Sequence, residues 1–330
     1  MGCTVVTLLA VTIGADEPPV RFEKVPNGGI QPQVLVDAAG TVHLLYFKGQ
    51  ERAGDLFYVR RTQGATAFSE PIRVNSIPGS TCCVGTVFRG RMALGPDGRV
   101  HVLWNGSFGY VREQWEAKGK QRTPEEFVFL FYARMEAGTT SFEKQRNLNT
   151  KAFGLDGNGS ITIGPNGGIH VFWHGLVEGR PDRLVFSRLS TDKGATFSEE
   201  ERLTDRPLGV CECCTLEAFH SSKGGIYVAY RTAQDAGRYV VVFSSTDGKK
   251  FSELKRHPWR IQFCPASTFA FVEGEQSIFA GWETEGDVFV GDLASPRPPL
   301  NMSKGRASKY PALAISGRGD RLVAWSSGTS

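Results

Sequence analysis

Six of the seven cysteines lie in three short segments with similar surroundings. The segments read GSTCCVGTVF (79–88), GVCECCTLEAF (209–219) and IQFCPASTF (261–269). Their cysteines are Cys82, Cys83, Cys211, Cys213, Cys214 and Cys264. An even number of grouped thiols in an exported protein predicts disulfides, including strained bonds between the neighbours Cys82 and Cys83 and between Cys213 and Cys214.

Two other kinds of chemistry are open to these thiols. Thiolates together with His174 could bind copper or zinc, which accept soft sulfur ligands. The spacing C-x-C-C at 211–214 differs from that of a zinc ribbon, so it is a weak indication of a metal. Thiol catalysis is the least favoured, because no cysteine has a histidine base beside it. Disulfides are the leading interpretation, and no cofactor is predicted.

An internal repeat positions the cysteine segments. VLVDAAGTVHLLYF (34–47), MALGPDGRVHVLWN (92–105) and ITIGPNGGIHVFWH (161–174) share a strand, a glycine-rich turn and a second strand that ends near an aromatic residue. Three looser copies follow, beginning at residues 216, 269 and 311. Repeats spaced by about 45 to 70 residues with period-2 patterning are typical of propeller blades. We therefore predict an all-β fold, a six-bladed β-propeller of four-stranded antiparallel blades.

The repeat predicts a single propeller domain over residues 16–330. The expected blades are roughly 30–76, 79–150, 151–205, 206–260, 261–304 and 305–330. The last blade is incomplete in this chain, and residues 20–26 (VRFEKVP) are expected to supply its outer strand.

A turn motif follows several copies of the repeat. Ser190, Asp192, Gly194 and Phe197 form S-x-D-x-G-x-x-F, and a shorter version runs from Ser245 to Phe251. The aspartate can bond its own turn, and the aromatic can plug the blade. Such turns in a six-bladed propeller resemble the Asp-boxes of the sialidase superfamily, also called BNR-repeat proteins. The resemblance covers nearly all of residues 20–330 and is more specific for fold than for activity.

The order of strands in a blade predicts which residues meet. The start of the innermost strand and the end of the second strand lie on one face, around the axis. The cysteine segments precede innermost strands, so we expect them at the mouth of the central channel. The residues that close second strands should join them there as substrate-binding groups: Asn105, His174, Arg231 and Glu283.

The resemblance to sialidases implies a specific mechanism. That family uses an arginine triad for the substrate carboxylate, a tyrosine nucleophile activated by a glutamate, and an aspartate acid/base. Tyr310 in SKYPALAI matches the nucleophile, Glu212 in CECCTLE its partner, Asp55 in ERAGDLFYVRR the acid/base, and Arg231 in IYVAYR one arginine.

The arginine triad is degenerate. The family's R-I-P reads Ile30-Gln31-Pro32 here, and Glu283 stands where another arginine is expected. A charge-assisted contact contributes about 1.5–3 kcal/mol, so losing two could weaken binding of a carboxylate by about a hundredfold or more.

The longest insertion, GSFGYVREQWEAKGKQRTPEEF (106–127), is expected on the same face. Arg112 and Trp115 give it groups suited to anion contact and sugar stacking. A solvated loop without binding function is an equally good interpretation.

Composition and the N-terminus limit the protein's class. A net charge of +4 without basic runs gives no indication of nucleic-acid binding. Residues 1–15 (MGCTVVTLLAVTIGA) suit a signal peptide but are too short to span a bilayer, so we expect a secreted or periplasmic monomer without a membrane span.

Three functions remain open. The leading hypothesis is a glycoside hydrolase, exo-sialidase-like, or a related enzyme that acts on an acidic sugar. The alternatives are a non-catalytic propeller that binds glycan or protein and a propeller that binds copper or zinc through the cysteines.

Overall fold

The computed structural model describes residues 22–83, 89–117, 119, 129–152, 155, 157, 159–177, 182–204, 208–305 and 307–328. The expected signal peptide lies outside these residues. The chain divides into two compact units, Gly29–Ala266 and Ser267–Ser330, the latter together with Met1–Gly28.

The Gly29–Ala266 unit contains four antiparallel sheets, each of four strands in sequence order. The first sheet is β1 (Ile30–Val36), β2 (Val42–Gln50), β3 (Ala53–Arg61) and β4 (Ile72–Arg73). The second is β5 (Arg91–Leu94), β6 (Val100–Asn105), β7 (Leu130–Met135) and β8 (Arg146–Asn147). The third is β9 (Ser160–Ile163), β10 (Ile169–Gly175), β11 (Leu184–Ser190) and β12 (Glu201–Arg202). The fourth is β13 (Glu217–His220), β14 (Ile226–Arg231), β15 (Val240–Ser245) and β16 (Ser252–His257).

The other unit contains one four-stranded sheet and one two-stranded sheet. The larger sheet is β17 (Phe269–Glu273), β18 (Ile278–Thr284), β19 (Asp287–Asp292) and β20 (Leu300–Asn301). The smaller sheet is β21 (Ser308–Ile315) and β22 (Arg321–Ser327), and β21 packs on the larger sheet. Across the described residues the structure therefore has five complete blades rather than six.

The N-terminal strand expected at 20–26 is not formed over the described part of that range. Residues 22–25 have no regular structure, and Pro26–Gly28 form a 3-10 turn. The backbone turns here because Asn27 and Gly28 both have positive φ angles, 57° and 68°. Phe22 is exposed and Val25 is half-buried.

Part of the long insertion is helical. Helix α1 (Phe108–Ala117) follows β6, where the sequence analysis predicted no helix. Among its described side chains, Val111 is buried and Tyr110 packs against Phe129 and Phe131. Within the described residues no helix is long and apolar enough to cross a membrane.

Buried second strands carry the core of each sheet. Strands β6 and β10 are buried along their whole length, because neighbouring sheets cover both of their faces. The aromatic residues at the ends of the repeats are buried as well: Tyr46, Trp104, Trp173, Tyr230, Trp282 and Trp325.

The turn from Ser190 to Phe197 is closed by its own side chains. Ser190 Oγ donates to Asp192 Oδ1 at 2.8 Å and accepts from the Gly194 amide at 2.9 Å. The Thr196 amide donates to the same carboxylate at 2.9 Å. The Thr196 hydroxyl, which also donates to this carboxylate, together with the Thr196 amide and the Ser190 hydroxyl holds the pKa of Asp192 well below its usual range. The turn at Ser245 to Phe251 repeats the pattern around Asp247.

The aromatic residue of each such turn packs edge-on against the preceding sheet. The ring of Phe197 lies 5.0 Å from that of Tyr132 in β7, and the ring of Phe251 lies 5.7 Å from that of Phe172 in β10. Tyr132 also binds His101 Nδ1 at 2.7 Å, as Tyr58 binds His43 one sheet earlier. Burial lowers the pKa of His101 to about 4, which keeps it neutral. The repeated histidines thus act as packing groups.

Replacing Gly194 by Ala should destabilise the protein more than replacing Gly64. Both glycines have nearly the same φ, +81° and +82°, so both substitutions cost the same backbone strain. A Cβ at 194 would overlap the Tyr132 hydroxyl, whereas a Cβ at 64 meets nothing within 4 Å. Chemical denaturation should show Gly194→Ala to be less stable than Gly64→Ala by about 1–3 kcal/mol. Equal losses would show that the space around Tyr132 is not tight.

Replacing Asp247 by Asn should lower the melting temperature near neutral pH. Backbone amides of Lys250 and Lys249 lower the pKa of Asp247 to about 2, so its stabilising effect is complete above the unfolded pKa and is lost as the pH falls through about 2. The difference from wild type should be constant above about pH 5 and should shrink as the pH falls from about 4 to about 2. Asp235→Asn, at an exposed turn, is the control, and a difference that does not vary with pH would contradict the role of the charge.

Candidate functional site

Residues 231–238 run from the last residue of β14 into the loop before β15, and we call them the connector. The connector holds two of the cysteine segments. The Cys211 amide donates to the Arg231 carbonyl at 2.8 Å. From the other segment, the Ile261 amide donates to the Ala236 carbonyl at 3.0 Å. Residues 209–216 and 261–268, which carry the cysteines of these segments, form no strand, so these bonds to the connector fix them in place.

The cysteines pair differently from the expectation. The disulfide joins Cys213 to Cys264, whose Cα atoms are 6.5 Å apart and which are separated by 51 positions in the sequence. The expected bonds between neighbours, Cys82 to Cys83 and Cys213 to Cys214, are not formed. Consecutive Cα atoms are about 3.8 Å apart, below the usual disulfide range of about 4.4–6.8 Å, so a distant partner is geometrically easier.

Four sulfur atoms gather beside the connector. Those of Cys211, Cys213, Cys214 and Cys264 all lie within 4.8 Å of one another. Cys211 Sγ is 3.6 Å from Cys264 Sγ and 3.9 Å from Cys213 Sγ. Cys211 and Cys214 are buried and form no disulfide. The contact with Cys214 and burial raise the pKa of Cys211 well above its usual range.

Cys82 and Cys83 form a separate buried pair of thiols. Cys82 Sγ lies 3.5 Å from the Gly106 carbonyl oxygen. Burial and the charge of Glu51 raise the pKa of Cys83 to about 11. The Cys83 thiol is therefore protonated near neutral pH, and both buried side chains serve as packing groups.

Arg231 binds inside the connector. Its side chain is fully buried, and Nη1 donates to the Arg238 carbonyl at 2.7 Å. Its guanidinium also lies 5.0 Å above the ring of Trp259, which precedes the segment that carries Cys264. The arginine predicted to bind a substrate carboxylate is thus engaged in holding the two cysteine segments.

Glu212 pairs with an arginine that the sequence analysis missed. Arg183 Nε donates to Glu212 Oε2 at 3.1 Å. The Glu212 side chain is 60% exposed and that of Arg183 is 14% exposed, so the carboxylate meets solvent above a mostly buried cation. Arg183 directly precedes β11, whose first residue pairs with Gly175 at the end of β10. Residues that open third strands should therefore have been considered along with those that close second strands.

Gly157 brings His174 close to the Cys211–Cys214 turn. A Cβ at 157 would lie 2.5 Å from His174 Nε2 and 2.8 Å from the carbonyl oxygens of Glu212 and Cys214. Asn105 Nδ2 donates to the Gly157 carbonyl at 2.6 Å. Asn105 and His174 are both buried. Complete burial and the nearby charge of Arg183 lower the pKa of His174 to about 3, so its ring is neutral.

Asp55 organises the chain that leads to Cys82. Its Oδ1 accepts from Asn75 Nδ2 at 2.6 Å and from the Gly79 amide at 2.8 Å. Asp287, near the start of β19 in the other unit, likewise accepts from Asn301 at 2.7 Å and from Ser303 at 2.9 Å. The recurrence of this arrangement supports a structural role for Asp55.

Tyr310 and Glu283 lie in the Ser267–Ser330 unit. Tyr310 is half-buried and has a φ of 58°, at a register shift in β21 between Lys309 and Ala312. Gln31 in β1 has a φ of 51° at the same kind of shift, and each precedes a proline. Glu283 is buried, and its Oε1 accepts from the Gly286 amide at 3.2 Å.

The remaining predicted residues lie on α1. Arg112 is exposed and lies 3.7 Å from Glu116, one helical turn away. The backbone of Trp115 is in the same helix, and its side chain lies outside the described part of the chain.

A buried ion pair between inner strands also escaped the sequence analysis. Arg91 of β5, in the second sheet, forms an ion pair with Glu217 of β13, in the fourth sheet. The inner strand of the third sheet, β9, lies between them in the sequence. Burial and the like charge of Arg89 lower the pKa of Arg91. The sequence does show a charged residue at the start of each of these two inner strands, and this was the signal from which the ion pair could have been predicted.

No family model and no curated protein matches the chain. Solved structures do. A Hadza microbial sialidase matches with a TM-score of 0.54 and 13% identity, over 86% of this chain and 60% of that one. An alpha-L-arabinanase of Penicillium chrysogenum, complexed with arabinobiose, matches with a TM-score of 0.59 and 9% identity, over 92% and 93%. A polysaccharide lyase, an ulvan lyase, matches with a TM-score of 0.51 and 10% identity, over 84% and 67%.

These likenesses concern the fold. The chain spans only 60% of the length of the sialidase. All three identities are low, so the matches confirm the predicted all-β propeller and leave activity to be argued from the site.

Replacing His174 by Leu should weaken the dependence of stability on pH. The folded ring stays neutral down to about pH 3, whereas in the unfolded chain a histidine takes up a proton below about pH 6.5. The free energy of unfolding of the wild type should therefore decrease as the pH is lowered from about 6.5 to about 3. His174 should contribute on the order of 1 kcal/mol per pH unit to this decrease. Urea denaturation at several pH values should show a shallower fall for His174→Leu. His257→Leu, on the outer strand β16, is the control, and unchanged pH dependence in His174→Leu would contradict the assignment.

Proposed function

We propose that the chain is a β-propeller of sialidase type that binds and cleaves a carbohydrate beside the Cys211–Cys214 turn. The observation that carries this proposal is the ion pair of Glu212 with Arg183, an exposed carboxylate held above a cation on a cross-linked turn. A glycoside hydrolase needs a positioned carboxylate, and an acidic sugar needs a cation.

Arg183 changes the interpretation of the degenerate arginine triad. Because the Arg231 side chain is hydrogen-bonded within the protein, we assign the binding of the substrate carboxylate to Arg183. The substrate carboxylate then takes the place of Glu212 beside Arg183, and the Glu212 carboxylate moves toward the reacting groups. In the mechanism that the sialidase resemblance implies, Glu212 activates the Tyr310 nucleophile and Asp55 is the acid/base. One charge-assisted contact contributes about 1.5–3 kcal/mol, enough for weak binding of an acidic sugar rather than the affinity of a complete triad.

The solved structures support a carbohydrate as the substrate class. Their titles name a sialidase, an alpha-L-arabinanase with arabinobiose and an ulvan lyase. We further propose export, on the apolar N-terminus and the disulfide, and a monomer.

A non-catalytic glycan-binding propeller is the second candidate. It is favoured by the internal hydrogen bonds of Asp55 and by the buried guanidinium of Arg231, which withdraw two residues from catalysis. The two candidates differ in turnover and not in binding.

Replacing Glu212 by Gln should abolish turnover while leaving the fold intact. The full chain would be tested on chromogenic sialosides, uronides and arabinofuranosides, with ultraviolet absorbance to detect the unsaturated products of a lyase. On the substrate that is cleaved, Glu212→Gln should lower kcat/KM by about 100-fold or more. Glu199→Gln is the matched control, because Glu199 is an exposed acid paired with Lys151 at 3.0 Å.

Tyr310→Phe tests the nucleophile, with Tyr227→Phe of β14 as its control. Saturable glycan binding without turnover in wild type would favour the non-catalytic candidate. Turnover that survives both Glu212→Gln and Tyr310→Phe, or the absence of any glycan binding, would overturn the proposal.

A further inference from the structure

We infer that, in the reduced chain, Cys211, Cys213, Cys214 and Cys264 together bind one Zn²⁺ ion in a tetrahedral thiolate site. This inference does not depend on the proposed carbohydrate chemistry. It concerns the cluster of sulfur atoms beside the connector, and the disulfide between Cys213 and Cys264 represents the oxidised state of the same residues.

The spacing of the sulfur atoms is the first argument. A zinc ion with four sulfur ligands at about 2.3 Å requires sulfur–sulfur distances of about 3.8 Å. Cys211 Sγ lies 3.6 Å from Cys264 Sγ and 3.9 Å from Cys213 Sγ. No pair among the four exceeds 4.8 Å. Apart from Cys213 and Cys264, whose sulfur atoms separate when the disulfide is reduced, the sulfur atoms are therefore close to ligand spacing before any ion is bound.

The disulfide alone does not require the other two thiols. A cross-link between the two segments uses only Cys213 and Cys264. Cys211 and Cys214 are nevertheless buried against it without forming a disulfide. A four-thiolate site uses all four side chains, with three from one turn and one from a distant segment.

The surroundings can accept the charge of such a site. Zn²⁺ bound by four thiolates carries a net charge of about −2. The Cys211 amide donates to the Arg231 carbonyl at 2.8 Å, and Arg231 Nη1 donates to the Arg238 carbonyl at 2.7 Å, which ties both arginines to the segment that carries Cys211. These two arginines lie on the connector that positions both cysteine segments, so charge and geometry come from the same element.

The approach of the turn to the connector is also tight. A Cβ at Gly209 would lie 2.8 Å from the Ala233 carbonyl oxygen, and Gly209 has a positive φ of +59°. The turn is thus held against the connector by backbone contacts that do not involve sulfur. The ligands are preorganised, which favours metal binding.

The test is metal binding by the full chain, purified under reducing conditions and freed of metal. Zn²⁺ would be titrated against a chromophoric chelator, and Co²⁺ would serve as the spectroscopic probe, because tetrahedral thiolate coordination gives intense d–d and sulfur-to-cobalt bands. We expect one ion per chain. Cys211→Ser and Cys214→Ser retain both disulfide partners and should each weaken Zn²⁺ binding by about 100-fold or more.

Cys83→Ser is the matched control, because Cys83 is a buried free thiol outside the cluster. It should bind Zn²⁺ as wild type does, and circular dichroism would verify that each variant is folded. The inference is overturned if the reduced wild type gives no cobalt–thiolate spectrum, or if both Cys211→Ser and Cys214→Ser bind Zn²⁺ as tightly as wild type. An equal loss in Cys83→Ser would also overturn it, since binding would then not depend on the cluster.

Discussion

The arrangement around the Cys211–Cys214 turn depends on one buried guanidinium. Burying an unpaired charge costs several kcal/mol, so Arg231 must be fully engaged where it lies. It donates to the Arg238 carbonyl and stacks on Trp259, which joins the connector to the segment that carries Cys264. The planar guanidinium can do both at once, whereas a lysine ammonium could not. The sulfur cluster and the turn that presents Glu212 both rest on this interaction.

Much of the fold was predictable because the repeat is defined by features of short sequence segments. Alternating strands, glycine-rich turns and terminal aromatics are each decided within a few residues, and they predicted a propeller of four-stranded antiparallel sheets. The strand expected at 20–26 failed for the opposite reason. Its alternation suits an edge strand, but the structure provides no partner, and Asn27 and Gly28 turn the chain away. Helix α1 escaped because the insertion has no counterpart in the repeat.

The sequence predicted which residues lie near one another at the candidate site better than it predicted which side chains pair there. Sequence order alone placed Glu212, His174 and Asn105 near one another, and Gly157 connects them in the structure. Sequence order could not reveal that Arg231 turns inward or that Arg183 takes its place beside Glu212. Those outcomes depend on which carbonyls and rings lie within reach of a long side chain, and that is a property of the packed chain. The same holds for the choice of Cys264 as the partner of Cys213.

The edge-on packing of Phe197 on Tyr132 and of Phe251 on Phe172 joins, in both cases, a turn to the sheet that precedes it in the chain. Each of these two aromatics packs in a hydrophobic cluster built from its own sheet and the sheet before it. During synthesis, the packing between two such sheets therefore stays incomplete until the later sheet has left the ribosome and formed its turn. A protease that cuts one turn would loosen the packing between these two sheets first.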